Sequence, residues 1–254
     1  MNSTGRAAPG TAPPGVTSEV EAARWVRRMF GSIAPRYDVV NHLLSLNIDR
    51  LWRRELVRAL RPVFLTPKAR VLDLCCGTGD VLLALAGAGS CDFIGADFCH
   101  PMLLAAQAKA DERRVPAKLI EADALQLPFA SGSMDAISIA FGFRNLANYE
   151  AGLQELHRIL KPNGVLAILE FSNPRSLAMR LAYGFYSKVF VPNVGSLLSG
   201  KKDAYRYLPK SIRRFPSPEE LRALMQAAGF TNVRFRLLTG GIAALHTGVK
   251  EADS

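Results

Sequence analysis

The residues best suited to do chemistry form a glycine-rich turn directly after a short apolar run. The segment Val71-Leu-Asp-Leu-Cys-Cys-Gly-Thr-Gly-Asp80 ends in that turn, and a second apolar run ends in a lone acid, Asp97, eighteen residues after Gly79. This spacing is typical of a nucleotide-binding βαβ unit, in which glycines let the backbone approach a ligand and the second-strand acid accepts hydrogen bonds from ribose hydroxyls. We therefore expect Asp97 to bind the ribose of a nucleoside.

The composition of the turn indicates which kind of nucleoside derivative binds. The turn departs from the G-x-G-x-x-G pattern and carries Asp80 where a pyrophosphate would need bare helix N–H groups. An acid at this place favours a cationic ligand, and S-adenosylmethionine has both a sulfonium and an amino group. We expect Asp73 and the Gly77-Thr-Gly79 turn to hold its amino-acid end, with the Thr78 hydroxyl as a donor.

A third acid at a strand end completes the expected cofactor site. Asp123 follows the third apolar run and is predicted to accept a hydrogen bond from the adenine amino group, beside the backbone of Ala124. Each acid taken alone is equally well explained as a helix cap or a surface carboxylate. Three acids at consecutive strand ends, together with the glycine turn, favour cofactor binding.

The elements that must position these residues alternate along the chain. Strands are predicted at residues 70–75, 92–97, 117–122, 135–141 and 164–171, with helices near 80–86, 101–110 and 147–160. Further helices are predicted at 19–29, at 41–60 (one helix or two) and at 218–228, and a closing strand pair at 232–238 and 242–249. This alternation predicts an α/β fold with a mostly parallel, doubly wound sheet of seven strands, as in Rossmann-like methyltransferases.

The chain of 254 residues is predicted to form one domain after a short tail. We expect a disordered tail over 1–18, since it is rich in Pro, Gly, Ala and Thr, and a single domain over 19–254. Within the domain we expect an N-terminal helical cap (19–66), a cofactor-binding core (67–171), an inserted lid segment facing the substrate (172–216), and a C-terminal helix and strand hairpin (217–250).

Charge and cysteine usage exclude several classes of protein. The net charge of +10 is uneven, because residues 71–170 carry −5 between ends of +7 and +8. This distribution favours a core that holds a cation and flanks that face an anion, although a solvated arginine-rich surface is the alternative. The four cysteines lack C-x-x-C spacing, which argues against a disulfide framework or a zinc site. No apolar run approaches the roughly 20 residues of a membrane-spanning helix.

The chain resembles the ubiquinone/menaquinone biosynthesis C-methyltransferases, which place the last ring methyl on a polyprenylated quinol. The resemblance covers roughly residues 26–250, and it implies a class I, S-adenosylmethionine-dependent methyltransferase fold with N-terminal helices and an inserted lid segment. The segments most particular to the family are Ala140-Phe-Gly-Phe-Arg-Asn145, Ala204-Tyr-Arg-Tyr-Leu-Pro209 and Leu238-Thr-Gly-Gly-Ile242.

The resemblance implies conversion of demethylmenaquinol to menaquinol, with the benzoquinol of ubiquinone biosynthesis as a further acceptor. Methylation of an aromatic carbon needs an electron-rich ring, and a phenol-like pKa near 10 makes phenolate scarce at neutral pH. Arg144 is predicted to stabilise the developing phenolate and to orient a water that takes the proton. A structural ion pair is the alternative role for Arg144. Asn145 is predicted to position the ring, and Asp38 is a candidate proton acceptor. No metal is required.

Other residues are predicted to line the substrate side or to play no part in the chemistry. Tyr37, Tyr205 and Arg206 are expected at the substrate wall. Ala140 stands at the cofactor, where some family members carry a Ser. His246 is expected to be a core residue, and the remaining histidines (His42, His100 and His157) are expected in surface or cap roles.

The lid segment suggests a membrane partner. Residues 177–198 are apolar and aromatic, with basic residues close by at Lys201, Lys202, Arg206, Arg213 and Arg214. We expect peripheral contact with anionic lipid at the cytoplasmic face of the inner membrane. A homodimer contact is the competing interpretation of the same segment.

Two other functions stay open at this point. One is methylation of another small or prenylated aromatic compound. The other is RNA binding by a methyltransferase-like fold. The three acids and the lack of an aromatic-basic RNA-binding signature argue against RNA binding. The absence of the Asn/Asp-Pro-Pro-aromatic signature argues separately against methylation of nucleobase amines, so we expect no nucleic-acid partner.

Overall fold

The computed structural model describes residues 10–11, 13, 15–176, 179, 184 and 202–252, except for the side chains of residues 202–206. The predicted lid segment therefore lies largely outside the described residues. In the described part of the chain, no helix combines the length and the apolar character that crossing a membrane would require.

One seven-stranded sheet forms the centre of the molecule. Its strands are β1 (Arg70–Leu74), β2 (Asp92–Asp97), β3 (Lys118–Glu121), β4 (Met134–Ala140), β5 (Leu160–Phe171), β6 (Phe230–Leu238) and β7 (Ala243–Lys250), in the order β3-β2-β1-β4-β5-β7-β6. The pairs among β1 to β5 are parallel, whereas β7 runs antiparallel to both β5 and β6. The predicted mostly parallel sheet of seven strands is confirmed.

Eight helices are described around the sheet. They are α1 (Glu19–Ile33), α2 (Tyr37–Leu44), α3 (Ile48–Leu60), α4 (Asp80–Ala86), α5 (His100–Glu112), α6 (Tyr149–Ile159), α7 (Lys202–Arg214) and α8 (Pro218–Ala227). Short 3₁₀ turns occupy Ala34–Arg36, Arg61–Leu65, Phe143–Asn145 and Thr239–Gly241. Polar caps fix several starts: the Asn148 side chain accepts from the Ala151 N–H at 3.0 Å, and Ser217 with Glu220 forms a capping box.

Some predicted boundaries differ from the structure for identifiable reasons. The helix predicted at 147–160 begins at Tyr149, because Asn148 is its cap, and it ends at Ile159 where β5 begins. The one or two helices predicted over 41–60 are two, α2 and α3, because Leu46 and Asn47 adopt left-handed backbone angles with φ of 51° and 59°, and the first begins earlier, at Tyr37. This bend turns the chain between two helices that both face the cavity described below.

The apolar core lies on both faces of the sheet, and a smaller cluster holds the N-terminal helices. Val26, Ile33, Val40 and Leu44 pack with Cys99, which directly precedes α5. The predicted helical cap is therefore seated near the carboxyl end of β2.

Part of the predicted disordered tail contacts the core. The backbone N–H of Thr11 donates to the carbonyl of Leu146 at 2.8 Å, and the Thr11 hydroxyl lies 2.6 Å from that of Tyr207. The expectation of disorder over 1–18 therefore does not hold at Thr11.

Candidate active site

The glycine turn after β1 has a backbone that requires glycine. Gly77 and Gly79 adopt φ of 55° and 83°, where side chains are rarely tolerated. A Cβ added at Gly79 would stand 3.1 Å from the Cβ of Ala106, so α5 packs closely against the turn. The turn therefore presents its backbone to the space above the strand ends.

Two neighbouring cavities open at the carboxyl ends of the strands. The larger has a volume of about 570 Å³ and lies between the N-terminal helices and the ends of β1, β4 and β5. The smaller, of about 70 Å³, adjoins the ends of β2 and β3. Tyr37, Cys75, Gly77, Ala140 and Phe141 are among the residues that line both. This is the position at which doubly wound sheets bind their ligands.

Asp73 is a buried carboxylate on the wall of the larger cavity. Its Oδ1 accepts from the Ser138 hydroxyl at 2.8 Å, whereas its Oδ2 is buried and has no hydrogen-bond partner among the described residues. Burial raises the pKa of Asp73 to about 7, and the bond from Ser138 offsets only part of this effect. The unpaired oxygen fits a cationic group as its missing partner.

Asp97 braces the glycine turn while lining the smaller cavity. Its two carboxylate oxygens accept the backbone N–H groups of Gly77 and Cys99, each at 2.9 Å. Burial raises the pKa of Asp97, and these two N–H groups lower it in part. A carboxylate can accept about four hydrogen bonds, so Asp97 keeps capacity for the predicted ribose hydroxyls.

Asp123 and Ala124 lie beside Asp97 at the smaller cavity, as their predicted role in adenine binding requires. Asp123 is exposed, and its Oδ1 accepts the Leu125 N–H at 2.9 Å in a local turn. The predicted cofactor residues thus divide between the cavities, with Asp73 and Thr78 at the larger, Asp123 and Ala124 at the smaller, and Ala140 at both.

Asp38 ties the N-terminal helices to the glycine turn. It accepts a hydrogen bond from the Thr78 hydroxyl, and the Lys109 ammonium lies 2.6 Å from both Asp38 and Asp80. Asp38 is therefore already paired with a cation. Its predicted role as proton acceptor stays a prediction.

A second set of ion pairs joins α2 and α3 to the same turn. The His42 ring lies between Asp49 and Asp80, at 2.9 Å and 3.3 Å, and Arg53 contacts the same two carboxylates. Although burial opposes ionisation, Arg53 and Lys109 outweigh it and lower the pKa of Asp80. The expectation of a surface or cap role for His42 was therefore wrong, because its ring contacts Asp49 in α3 and Asp80 at the start of α4.

Arg144 forms a buried ion pair at the end of β4. Its Nη1 donates to Glu170 at 2.8 Å and to the Phe141 carbonyl, and its backbone N–H donates to the other Glu170 oxygen at 3.1 Å. Burial opposes the charge, but Glu170 outweighs that effect and raises the pKa of Arg144. The Nε group has no partner among the described residues, and Arg144 lines the larger cavity. The pair is structural, and it leaves donor groups for a ligand.

Aromatic rings form the wall beside Arg144. Its guanidinium carbon lies 5.4 Å from the centre of the Phe171 ring, and that ring lies 4.7 Å from Phe141 and 6.0 Å from Trp52. The Trp52 indole N–H donates to the Thr239 hydroxyl at 2.8 Å, which ties the wall to the turn before β7. Such a wall suits a flat aromatic ligand.

Asn145 and Tyr37 lie close to these groups. The Tyr207 hydroxyl donates to the Asn145 side-chain oxygen at 3.0 Å, and Thr11 contacts Tyr207 in turn. Low-polarity surroundings raise the pKa of Tyr37, and the nearby Arg144 lowers it only in part. Tyr37 therefore stays neutral and serves as a wall residue.

One predicted core residue lies away from the site, and two predicted substrate residues have side chains outside the described part of the chain. Tyr205 and Arg206 lie in α7, but their side chains are outside the described residues. His246 is buried in β7, where its Nε2 lies 3.0 Å from the Pro218 carbonyl, and burial lowers its pKa to about 4. His246 is thus the neutral core residue that was predicted.

Solved structures define the class of the fold. A S-adenosylmethionine-dependent methyltransferase from Aquifex aeolicus superposes with a TM-score of 0.55 at 19% identity, over 76% of this chain and 87% of its own. One from Thermotoga maritima gives a TM-score of 0.60 at 21% identity, over 88% and 99%. At these identities the likeness concerns the fold, which is that of the Rossmann-like, class I methyltransferases.

The chain belongs to the ubiE/COQ5 methyltransferase family, whose model matches residues 17–250. It is 50% identical to the demethylmenaquinone methyltransferase of Thermus thermophilus, over 87% of this chain and 99% of the relative. It is 42% identical to the ubiquinone/menaquinone biosynthesis C-methyltransferase UbiE of Geotalea uraniireducens, over 91% and 98%. The predicted family, methyltransferase activity and S-adenosylmethionine dependence are confirmed.

Several residues of the site were missed from the sequence. Glu170, Tyr207 and Ser138 hold Arg144, Asn145 and Asp73 in place. A lone acid inside an apolar strand was a signal for Glu170. Tyr207 lies in the segment Ala204-Tyr-Arg-Tyr-Leu-Pro209, which carries part of the family resemblance, but the sequence did not indicate its contact with Asn145. The sequence offered no comparable signal for Ser138.

Proposed function

We propose that this protein transfers a methyl group from S-adenosylmethionine to a ring carbon of demethylmenaquinol, the last ring methylation of a polyprenylated quinol. The observation that carries the proposal is the position of Arg144, on an aromatic wall of a large cavity that begins at the glycine turn. The names of the relatives agree with this acceptor. The benzoquinol precursor of ubiquinone is a second acceptor, supported by relatives named for both pathways.

The residues present fit the cofactor. Asp73 offers a buried carboxylate oxygen without a partner, which suits the cationic amino group. Asp97 has acceptor capacity for the ribose, and Asp123 with Ala124 lines the small cavity next to it, where adenine would lie. When bound, S-adenosylmethionine supplies an electrophilic methyl group on its sulfonium.

The protein's own residues then have distinct tasks. Arg144 stabilises the phenolate that develops on the quinol, because a fixed cation in a site with little water strongly favours the anion. Glu170 holds the guanidinium in place. Of the two cavities, Asn145 lines the smaller one, so we assign it to the place where the cofactor meets the ring. Asp38 or a water oriented by Arg144 takes the proton. Holding the two reactants in line supplies up to roughly 7–11 kcal/mol in favourable cases.

The membrane is the proposed meeting place with this acceptor. A polyprenyl tail partitions into lipid, so the enzyme must reach its substrate at a bilayer surface. The net charge of +10 supports contact with anionic lipid, and we place the protein peripherally at the cytoplasmic face of the inner membrane. Homodimer formation stays a second proposal for the lid segment.

The test is transfer of labelled methyl to reduced demethylmenaquinol and, separately, to the benzoquinol, with Arg144→Lys alongside. Lysine keeps a positive charge beside Glu170, so the variant should fold. It lacks the planar guanidinium, so it should stabilise the phenolate less well. We expect its kcat to fall at least about tenfold while its affinity for S-adenosylmethionine is unchanged. Arg158→Lys is the matched control, since Arg158 pairs with Glu155 away from both cavities.

Two results would contradict the proposal. Wild-type turnover by Arg144→Lys would remove the role of Arg144 in stabilising the phenolate. Absence of methyl transfer to either quinol, with the cofactor bound tightly, would send the search to other aromatic acceptors.

A further inference from the structure

The outer face of α2 is unusually apolar for a surface. Val39 is 71% exposed and Leu43 45%, and their spacing of four residues places them one helical turn apart on α2. Leu46, 66% exposed, follows in the turn between α2 and α3, and we call these three residues the stripe. Leu51, 55% exposed, follows on α3. These four are among seven large exposed hydrophobic residues in the described part of the chain, and they fall within thirteen consecutive positions. Such clustering marks an interaction surface.

The stripe is continuous with the larger cavity. Leu46 lines that cavity although two-thirds of it is exposed, which places Leu46 at the mouth. Leu44, Ser45 and Ile48, on either side of it in the chain, line the cavity as well. An apolar path therefore leads from the surface of α2 to the site.

Cationic groups adjoin the stripe. Arg50 and Arg54 lie on the exposed side of α3, one helical turn apart, and neither forms an ion pair with a residue in the described ranges. The first 70 residues carry a net charge of +7. Apolar side chains next to unpaired arginines match a bilayer surface with anionic headgroups.

We infer that the α2–α3 corner, defined as Val39, Leu43, Leu46, Arg50, Leu51 and Arg54, docks on anionic lipid with the cavity mouth against the bilayer. The acceptor's apolar tail then passes from the bilayer along the stripe into the cavity. This inference rests on the proposed function, since only a lipid-dwelling acceptor requires that path. A second copy of the chain is the less suitable occupant, because a stable dimer needs about 800 Å² on each partner and the stripe consists of three side chains.

The test is co-sedimentation of the full chain with vesicles of phosphatidylcholine alone or mixed with phosphatidylglycerol. We expect binding to the mixed vesicles, weakened by high salt. The double variant Val39→Ser/Leu43→Ser should bind at least about tenfold more weakly. Its matched control is Val20→Ser/Leu104→Ser, which removes one Val and one Leu exposed at 60% and 59% away from both cavities.

A second variant tests the charge. Arg50→Gln/Arg54→Gln should weaken binding to the mixed vesicles about 25-fold, at about fivefold for each arginine. All four substituted residues are exposed, so neither double variant should unfold the chain. Circular dichroism checks that both variants are folded. Turnover of a quinol with a short, water-soluble tail should stay at the wild-type rate in the Val39→Ser/Leu43→Ser variant.

Each remaining outcome overturns the inference. Wild-type binding by both double variants would place the membrane contact elsewhere, and absence of vesicle binding by the wild type would remove it. Conversion of a dimer to a monomer by Val39→Ser/Leu43→Ser, with vesicle binding intact, would make this surface a contact between copies. The vesicle assay needs no turnover, so a failure of the proposed quinol chemistry would be seen separately.

Discussion

The substitution Asp73→Asn should remove a pH dependence that is built into the unliganded site. The pKa of Asp73 is about 7 in the folded chain, against an ordinary value of 3.8. Between these values the folded state keeps a proton that the unfolded state has lost, so stability falls as pH rises. A pKa difference of about three units corresponds to about 4 kcal/mol of unfolding free energy, since each pKa unit is worth about 1.36 kcal/mol.

Urea denaturation at fixed pH measures this directly. Between pH 5 and pH 8 the Asp73 contribution to the free energy of unfolding should fall by about 2.5 kcal/mol in the wild type and not at all in Asp73→Asn. The difference in unfolding free energy between the wild type and Asp73→Asn should therefore change by that amount, and the variant should become relatively more stable at high pH. A gap that stays constant with pH would refute the claim that Asp73 is protonated in the folded chain near neutrality.

Cofactor binding should show the opposite trend. A cationic amino group next to Asp73 requires the ionised carboxylate, so affinity for S-adenosylmethionine should rise with pH, by at most tenfold per unit, and level off above about pH 7. Asp73→Asn should bind more weakly and with a flat profile. Asp92→Asn is the control, because Asp92 pairs with Lys118 and lines neither cavity. An equally steep profile in Asp73→Asn would assign the proton to another group.

Two further predictions concern the frame of the site. Glu170→Ala leaves a buried guanidinium unpaired and should cost about 3–5 kcal/mol of unfolding free energy, measured by urea titration, whereas Glu219→Ala, in an exposed pair, should cost less than about 1 kcal/mol. Similar losses would show that the buried pair is not the stronger constraint. Gly142→Ala would overlap a side chain at the end of β1 and should cost about 1–3 kcal/mol, while Gly87→Ala meets only ordinary contacts and should be neutral. Equal thermal midpoints would contradict the close packing.

The position of the predicted cofactor residues at one edge of the sheet could be predicted because its signals are local. Asp73, the glycine turn and Asp97 lie within one βαβ unit, where strand length and glycine conformation determine which atoms reach the ligand. Asp123 follows the same rule one unit later. The parallel order of the strands then places all three at one edge of the sheet, as the two cavities show.

The acceptor half depended on contacts between distant residues. Arg144 and Glu170 are 26 positions apart, Asn145 and Tyr207 are 62 apart, and Trp52 bonds to a turn 187 residues away. Periodicity carries no information about such pairs, because a buried charge or amide selects its partner only when the sheet and helices have packed.

The sequence by itself determined the order of the elements, the glycine turn and the acids at the strand ends, since these follow from backbone conformation and local spacing. Only the tertiary structure decided that His42 lies between two carboxylates, that Thr11 contacts Tyr207, and that the exposed Leu46, after the end of α2, lies at the cavity. The physical reason is that each of these depends on how the N-terminal helices sit against the sheet. Apolar packing sets that arrangement, and the apolar pattern in the sequence does not show which polar groups will meet when the helices have packed.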